Sequence, residues 1–470
     1  MFFHQRFIPG LAIASYMVGD DKTKECAVID PTRDVDEFIQ IARREGLRIA
    51  HVFETHVHAD FVSGAPELKA RCGGTPLIHC SGMGGEQWTP PYADHVAKDG
   101  DEVRIGSLRI RAIHTPGHTP EHMSWALFDE TRSKDHPWLL FTGDFLFVGD
   151  VGRPDLLGDA ERAKLAHQLY ESVFNKLAPL PDYTEVFPAH GAGSLCGKAI
   201  GSRRSSSLGF ERRFNPSMQP QPEPQWTATL LKGMPPAPPY FKRMKQVNAK
   251  GATILAEAMP GQKRLSAREL YDRLAREKLV VLDTRPKESF AAAHVPGSIS
   301  IPLAPNLPSW AGWVLPYDQP IVLVSANASE ANEAVTHLIR IGLDRVEGWL
   351  DDGIDGWQAQ GFALGNIPTM SVHDLSDRLK KPNPPLVLDV RTDGEWNGGH
   401  IDGATHVQLG LLPNQLDDVP KDRPVAVVCG SGYRSSIASS VLKRSGYENI
   451  ANVMGGMGAW KAAGLPTASR

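Results

Sequence analysis

Histidine and aspartate residues gather at four points in the first 200 residues of this 470-residue chain. The four segments are 55–60 (THVHAD), 115–118 (TPGH), 142–144 (TGD) and 188–191 (PAHG). Each follows a run that is typical of a buried strand, and the loops at strand ends often carry functional side chains. Neutral imidazole and carboxylate groups are metal ligands, and rigid strand ends would fix their geometry. The pattern therefore predicts a metal site.

In the first of these segments His56, His58 and Asp60 alternate along the chain. Alternate side chains of extended backbone point the same way, so the spacing predicts that all three face one side. Two histidines at this spacing are a weak signal alone, but four segments in order make a metal centre the favoured interpretation.

A second candidate site is a cysteine between a strand-like run and a helix-like run. Cys429 follows the apolar residues 424–428 (PVAVV) and precedes the helical pattern of 435–446. Backbone N–H groups at such a turn would stabilise a thiolate and bind an anion. Four residues separate Cys429 from Arg434, whereas cysteine phosphatases place five there to enclose phosphate. The sequence therefore favours a tighter loop with a nucleophilic sulfur.

Cys196 lies six residues after His190 and is followed by Gly197 and Lys198. Two interpretations stay open. Cys196 is either a small buried thiol or a sulfur-handling thiol at the mouth of the metal pocket, where Lys198 would favour the thiolate. The three remaining cysteines have no such context and are predicted to be core residues: Cys26, Cys72 and Cys80.

The elements that must position these residues alternate between strands and helices. Runs 51–55 and 138–143 are predicted to be buried strands, and runs 34–46 and 158–177 are predicted to be helices. A proline-dense stretch near 215–240 lacks either periodicity, and we predict an extended connector there.

Composition places the chain among ordinary globular proteins. Hydrophobic residues make up 41%, charged residues 22%, and the formal net charge of −4 argues against a general nucleic-acid binder. No run approaches the ~20 apolar residues of a membrane span, and the first residues do not resemble a secretion signal. Five cysteines are too few for a disulfide framework. We therefore expect a cytoplasmic protein.

After residue 262 the chain repeats itself at a spacing of about a hundred residues. The segment 280–285 (VVLDTR) matches 386–391 (LVLDVR), and 320–331 matches 424–435. Each copy alternates helix-like and strand-like runs, which predicts two small parallel α/β domains. The predicted domains are 1–245 with the proline-rich connector, 262–368, and 369–470.

The order HxHxD, TPGH, TGD and PAHG resembles the metallo-β-lactamase superfamily over residues 1 to about 210. The resemblance implies an αββα sandwich, so the whole chain is expected to be an α/β multidomain protein. Many hydrolases of this fold carry a histidine directly after the aspartate, and that histidine helps hold a second metal. Here the position is Phe61, whose apolar ring cannot ligate. A mononuclear centre is therefore favoured.

The chain is more specifically similar to the persulfide dioxygenase branch of that superfamily. This resemblance implies one Fe(II) per chain, held by His56, His118 and Asp144, with O2 as co-substrate and no organic cofactor. Such a two-histidine, one-carboxylate arrangement leaves open positions on iron that suit oxygen activation. The other polar residues of the cluster are interpreted as hydrogen-bond partners rather than ligands: His58, Asp60 and His190.

Residues 151–155 (VGRPD) also resemble a motif of that branch beside its metal site. Arg153 and Asp155 are therefore candidates for substrate binding. The resemblance to dioxygenases fused to rhodanese domains supports a sulfur-relay role for Cys196.

The cysteine loop resembles the rhodanese family of sulfurtransferases, which form a cysteine persulfide. That resemblance makes Cys429 and Arg434 the catalytic residues of the second copy. The intervening loop residues would line the anion site: Gly430, Ser431, Gly432 and Tyr433. In the first copy the matching positions are Ser325 and Glu330, so that domain is predicted to be catalytically silent.

Together the resemblances imply a persulfide dioxygenase joined to a rhodanese. It would oxidise a low-molecular-weight persulfide to sulfite and thiol and then form thiosulfate, in sulfide detoxification. Expected partners are a persulfide of glutathione, coenzyme A or a similar carrier, and sulfite. We expect no nucleic acid and no membrane, and self-association stays open. The basic residues of 203–213 and 242–245 could bind an anionic carrier, although such runs are usually solvated.

Two rival hypotheses stay open. One is a zinc thioester hydrolase like glyoxalase II with an appended sulfurtransferase, which Phe61 argues against. The other makes the C-terminal half a sulfur-sensing module that regulates the N-terminal enzyme.

Overall fold

The computed structural model describes residues 1–255 and 258–469. The chain forms two compact units, one of Met1–Ala258 with Ile339–Gly342 and one of Met259–Leu338 with Leu343–Arg470. Within the described residues, no helix is long and apolar enough to cross a lipid bilayer.

The first unit is built on two six-stranded sheets, in the orders β1-β2-β3-β4-β5-β6 and β14-β13-β10-β9-β8-β7, and a two-stranded ribbon, β11-β12. Its strands are β1 (Phe2–Ile8), β2 (Ile13–Gly19), β3 (Glu25–Ile29), β4 (Arg48–Phe53), β5 (Leu77–Ser81), β6 (His95–Ala97), β7 (Glu102–Ile105), β8 (Leu108–His114), β9 (Met123–Asp129), β10 (Leu139–Gly143), β11 (Leu146–Phe147), β12 (Asp150–Val151), β13 (Glu185–Pro188) and β14 (Ser206–Ser207). Its helices are α1 (Asp36–Glu45), α2 (Ala65–Arg71), α3 (Asp159–Glu171), α4 (Leu208–Phe214), α5 (Glu223–Leu231) and α6 (Tyr240–Lys250).

Three hydrophobic clusters define the layers of this unit. Tyr16 and Phe53 of one sheet meet Trp125 and Phe141 of the other in the central cluster. Helices α1 and α2 cover the outer face of the first sheet, and α3 and α5 cover the outer face of the second. The layers are therefore helix, sheet, sheet, helix, which confirms the predicted αββα sandwich.

Local sequence signals explain the predicted elements. Helix α1 has acidic residues in its first turn, basic residues in its last, and ends at Gly46 with a left-handed φ of 65°. The predicted helix 158–177 is α3 followed by a π-helical turn at Ser172–Lys176.

The predicted extended connector is wrong in part, because the segment 215–240 contains helix α5. A proline occupies the first turn of α5, where its missing N–H group costs no hydrogen bond. Trp226 and Leu230, one helical turn apart, are 1% and 4% exposed and pack into the core. The continuous N-terminal part of the first unit extends to Ala258.

The second unit contains two five-stranded parallel sheets, in the orders β15-β19-β18-β16-β17 and β20-β24-β23-β21-β22. Its strands are β15 (Arg264–Leu265), β16 (Val280–Asp283), β17 (Ile299–Ser300), β18 (Ile321–Val324), β19 (Val346–Leu350), β20 (Thr369–Met370), β21 (Leu386–Asp389), β22 (Thr405–His406), β23 (Val425–Val428) and β24 (Ile450–Val453). Its helices are α7 (Ala267–Leu274), α8 (Lys287–Ala292), α9 (Leu307–Val314), α10 (Ala328–Arg340), α11 (Gly353–Ala359), α12 (Val372–Leu379), α13 (Asp393–Asn397), α14 (Tyr433–Arg444) and α15 (Gly456–Ala462).

The two sheets share one strand order, and the β16–β18 pair has the same register as the β21–β23 pair. Asp283 pairs with Val324 in the first copy, and Asp389 pairs with Val428 in the second. The internal repeat therefore corresponds to two domains of the same parallel α/β fold, as predicted.

Candidate active sites

His56, His118 and Asp144 come together at one end of the first unit's strands. They follow β4, β8 and β10, and their ligand atoms all lie within 4.8 Å of one another. Nε2 of His118 lies 3.4 Å from Oδ2 of Asp144, and Nε2 of His56 lies 3.8 Å from the same oxygen. Atoms bound to one cation at about 2.0–2.2 Å are separated by roughly 3–3.5 Å, so the group is close to a coordinating geometry.

The histidine rings of this group are held in place through their other nitrogen. Nδ1 of His118 is 3.0 Å from the Arg153 carbonyl oxygen, and Nδ1 of His56 is 2.9 Å from Oγ1 of Thr55. Metal-binding histidines are usually oriented by such partners.

The ligand atoms themselves are buried without hydrogen bonds. Nε2 of His56 and both carboxylate oxygens of Asp144 find no hydrogen-bond partner among the described residues. Buried polar atoms are normally paired, so this donor set fits a cation.

The Nε2 of His58 points toward Asp30 and Glu54 rather than toward Asp144, so His58 departs from the expectation that His56, His58 and Asp60 share one side. The chain bends after β4 instead of staying extended. Nε2 of His58 lies 3.1 Å from Asp30 Oδ1 and 3.2 Å from Glu54 Oε2. Burial disfavours a charged ring, but these two carboxylates outweigh it and raise the pKa of His58 well above its ordinary value.

A second group of three buried side chains lies beside the first: Asp60, His190 and Cys196. Nδ1 of His190 is 3.0 Å from the Ala12 carbonyl oxygen, while its Nε2 lies 3.3 Å from both Asp60 Oδ2 and Asp144 Oδ1. His190 therefore connects Asp60 with the candidate ligand Asp144.

Cys196 is buried. The expectation that Lys198 favours a thiolate at Cys196 does not match the contacts of that lysine. The ammonium group of Lys198 donates instead to the backbone carbonyls of Thr229 and Lys232, at 3.1 and 2.9 Å. Burial, with the nearby carboxylates of Asp144 and Asp60, raises the pKa of the Cys196 thiol well above its ordinary value.

Arg153 and Asp155 form a bidentate ion pair with two distances of 2.7 Å. Arg153 is 2% exposed, and its guanidinium also donates to the Leu195 carbonyl at 3.1 Å. These contacts fasten the segment before Cys196 to the segment that holds His118.

A residue that sequence reasoning missed fixes the loop around Phe61. Asn248 of α6 donates to the carbonyls of His58 and Phe61, at 2.8 and 2.7 Å, and accepts from the Ser63 N–H at 2.9 Å. Asn248 follows the proline-rich segment and carries no local signal that points to this loop.

A small pocket adjoins His56. It contains Glu121, a buried carboxyl whose Oε1 accepts the Val57 N–H at 2.8 Å. Burial raises the pKa of Glu121 to about 7. The full lining is Glu54, His56, Val57, Cys80, Ser81, Trp88, Pro90, Tyr92 and Glu121.

In the second unit, Cys429 lies directly after β23 and beneath the first turn of α14. Its Sγ accepts the Gly432 N–H at 3.1 Å and the Ser435 hydroxyl at 3.4 Å. Gly432 has a φ of 94°, which favours glycine. The loop thus surrounds the sulfur with donors, an arrangement that stabilises a thiolate or persulfide anion.

Arg434 is paired within its own domain. Its guanidinium donates to both carboxylate oxygens of Glu395 at 2.6 Å, and this contact lowers the pKa of Glu395 to about 2. Glu395 was not a predicted site residue, and only its capping position in α13 is visible in the sequence.

The first copy holds Ser325 where the second holds Cys429, directly after β18. The Ser325 hydroxyl is 2.7 Å from that of Thr284, and Glu330 occupies the position of Arg434. The five cysteines form no disulfide; Cys26 and Cys80 are buried, and Cys72 is partly exposed.

Comparison with known protein families supports the two-part architecture. The metallo-beta-lactamase superfamily matches residues 8–190, and the rhodanese-like domain matches residues 266–360 and 371–463.

Similar proteins include hydrolases and dioxygenases. A protein named "Probable metallo-hydrolase" from Burkholderia pseudomallei is 34% identical over 39% of this chain and 70% of its own length. The mitochondrial persulfide dioxygenase of Bos taurus is 29% identical over 46% of this chain and 74% of its own. The crystal structure of a metallo-beta-lactamase from Staphylococcus aureus has 34% identity and a TM-score of 0.66, and the match covers 74% of this chain and 98% of that one. The chain therefore belongs to the metallo-beta-lactamase superfamily, as a fusion of a domain with persulfide dioxygenase homologues to two tandem rhodanese-like domains.

Proposed function

We propose that the first unit is an Fe(II) persulfide dioxygenase and that the second unit is a rhodanese that uses its sulfite product. The observation that carries this proposal is the converging group of His56, His118 and Asp144. Phe61 stands directly after Asp60, where a further metal-binding histidine would be expected in a two-metal hydrolase. Two histidines and one carboxylate form the ligand set of many oxygen-activating iron enzymes. The persulfide dioxygenase relatives support the same assignment.

The overall reaction converts a persulfide, O2 and water into a thiol, sulfite and two protons. Iron(II) bound by the three residues would supply open positions for oxygen and the terminal sulfur. Thr55 and the Arg153 carbonyl hold the two imidazoles in the ligating orientation. Glu121, in the cavity beside His56, is positioned to accept one of the released protons.

Buried residues beside the three candidate ligands would orient Asp144 and contact the substrate. His190 orients Asp144 from the side opposite His118, and its contact with Asp60 fixes the ring. The Cys196 thiol beside them is a candidate to contact the sulfur of the substrate. In this proposal the thiol that carries the persulfide sulfur is glutathione or coenzyme A.

In the second unit, the Cys429 thiolate attacks the outer sulfur of a second persulfide molecule. The S–S bond of that donor breaks, its thiol leaves, and Cys429 becomes a persulfide. Sulfite then attacks the outer sulfur; a new S–S bond forms in thiosulfate, and the bond to Sγ breaks to return the Cys429 thiolate. The Gly432 N–H and Ser435 hydroxyl stabilise the sulfur that leaves. Covalent fusion raises the effective concentration of sulfite at this domain.

The test begins with anaerobic purification, metal analysis and oxygen consumption with glutathione persulfide. We expect one iron per chain and persulfide-dependent oxygen uptake. Two zinc ions per chain without oxygen uptake would overturn the dioxygenase assignment.

A zinc thioester hydrolase is the second candidate. The adjoining group of Asp60, His190 and Cys196 favours it, because this group could hold a second metal. The hydrolase-named relative supports it as well. Hydrolysis of an acyl-glutathione, measured on the same preparation, separates the two candidates.

A Cys429→Ser variant tests the role of the second unit. We expect oxygen uptake to persist and thiosulfate formation to fall at least a hundredfold, with sulfite accumulating instead. Loss of both activities in a folded variant would indicate that Cys429 regulates the first unit.

A further inference from the structure

The silent rhodanese domain packs against the helix that begins at the cysteine loop. The Ser300 N–H donates to the hydroxyl of Ser440 in α14 at 3.0 Å, and Arg444 at the end of α14 donates to the Gly297 carbonyl at 2.8 Å. In the loop itself, the Tyr433 hydroxyl donates to the Pro302 carbonyl at 3.1 Å. The silent domain therefore borders the catalytic loop directly.

Lys287 is the residue of the silent domain that comes nearest to the sulfur-binding part of this loop. A β-carbon placed on Gly432 would lie 3.7 Å from Cε of Lys287. Gly432 is the residue whose N–H donates to Cys429 Sγ. The end of the Lys287 aliphatic chain therefore lies beside the glycine that binds the sulfur.

Lys287 forms an ion pair with Glu288, and this pair is too exposed to prevent the Lys287 ammonium from binding another anion. Its ammonium lies 2.6 Å from the Glu288 carboxylate, and the two side chains are 34% and 71% exposed. Exposed ion pairs of this kind contribute little, so the lysine side chain can turn toward another anion at small cost.

A further cation beside the catalytic loop would favour the binding of anionic sulfur compounds. Both terminal nitrogens of Arg434 donate hydrogen bonds to the Glu395 carboxylate, so the positive charge of Arg434 is already compensated. Thiosulfate and sulfite are dianions, and a persulfide on Cys429 is itself anionic. Backbone N–H groups and one hydroxyl provide only partial charges for two anions that must meet.

We propose that Lys287 of the silent domain completes the sulfurtransferase site by binding the dianionic sulfur donor or acceptor. The inference rests on the proposed sulfurtransferase function of Cys429. It gives the silent domain a direct role in recognition of oxyanions such as thiosulfate and sulfite.

The experiment measures sulfur transfer from thiosulfate to cyanide by the full chain carrying Lys287→Gln. We expect the KM for thiosulfate to rise about tenfold while kcat changes less than twofold, because the lost charge acts on dianion binding. The KM for cyanide should stay unchanged. Lys287→Arg, which keeps the charge, should restore most of the thiosulfate affinity.

The matched control is Lys263→Gln, because Lys263 also forms a 2.6 Å surface pair, with Glu269, in the same domain. An unchanged thiosulfate KM in Lys287→Gln, or an equal rise in Lys263→Gln, would overturn the inference while leaving the sulfurtransferase intact. If the unaltered chain transfers no sulfur at all, the proposed function of Cys429 is wrong and the inference falls with it.

Discussion

Two histidines of one short segment have opposite surroundings. His56 directs an unpaired nitrogen toward Asp144, whereas His58 is enclosed by the carboxylates of Asp30 and Glu54. Both residues are histidines of the same short segment, so their different roles come from the side chains that surround them. Asn248 holds the backbone from His58 to Ser63.

We predict that Asn248→Ala destabilises the first unit and weakens metal binding. The substitution leaves the buried carbonyls of His58 and Phe61 and the Ser63 N–H without their partner. Such losses cost about 2–4 kcal/mol in total. The measurements are the melting temperature and the iron affinity, the latter by chelator competition.

The control for this prediction is Asn175→Ala. The Asn175 amide donates to Glu171 at 2.6 Å on an exposed surface, so its loss should change neither quantity appreciably. Equal effects of the two substitutions would contradict the role assigned to Asn248.

At the scale of elements, the start of α15 supports the cysteine loop from behind. The Met457 N–H donates to the Cys429 carbonyl at 2.7 Å, and the Gly458 N–H donates to the Gly430 carbonyl at 2.9 Å. Gly456, between β24 and this contact, has a φ of 53°, and a β-carbon there would lie 2.2 Å from the Cys429 carbonyl oxygen. The loop conformation therefore depends on a glycine outside the loop.

We predict that Gly456→Ala displaces Cys429 and lowers sulfur transfer more than tenfold. Gly464→Ala is the matched control, since Gly464 has a φ of 67° but no described atom within 4 Å of its notional β-carbon. The control should carry only the backbone strain of about 1 kcal/mol and retain activity. Similar sulfurtransferase rates for the two variants would refute the steric argument.

Strands β4, β5 and β6 carry three neighbouring histidines that make stability depend on pH. Burial, together with His51 and His95, lowers the pKa of His79 to about 3, against a small opposing effect of Asp94. The folded chain then binds fewer protons than the unfolded chain between about pH 3 and 6.5. Stability must therefore fall as the pH falls through this range.

We predict that His79→Phe reduces this dependence, because phenylalanine keeps the ring that stacks on Phe53 at 4.5 Å but cannot be protonated. Between pH 7.5 and 5 the unaltered chain should lose about 2 kcal/mol more than the variant. Calorimetric melting of both chains across this range provides the measurement. Parallel curves would show that His79 does not control the effect.

At the scale of the whole molecule, the two kinds of chemistry are confined to different units. The three candidate metal groups formed by described residues all lie in the first unit, whereas Cys429 is surrounded by backbone and hydroxyl donors of the second. In the proposed sulfur-transfer step, these donors of the second unit bind the sulfur.

We predict that removal of the metal with a chelator abolishes oxygen uptake but leaves thiosulfate–cyanide sulfur transfer within about twofold. Reconstitution with iron(II) should restore oxygen uptake, and zinc should not. Parallel loss of both activities on chelation would show that the second unit also depends on the metal.

The sequence by itself determined the features that depend on neighbouring residues. The two parallel α/β repeats and the position of Cys429 between β23 and α14 follow from local periodicity and from the repeat. The αββα sandwich was implied by the resemblance of the histidine and aspartate motifs to the metallo-β-lactamase superfamily. Local hydrogen bonding and side-chain alternation are encoded within a few residues, so they can be read from the sequence alone.

Only the tertiary structure decided which side chains meet across long separations. Asn248 reaches His58 over 190 residues, Tyr433 reaches Pro302 over 131, and Lys198 donates to carbonyls within the proline-rich segment. These contacts depend on how packed elements bring distant chain segments together, and no pattern of neighbouring residues encodes that. The direction of His58 and the position of Lys287 at the cysteine loop were therefore decided by packing.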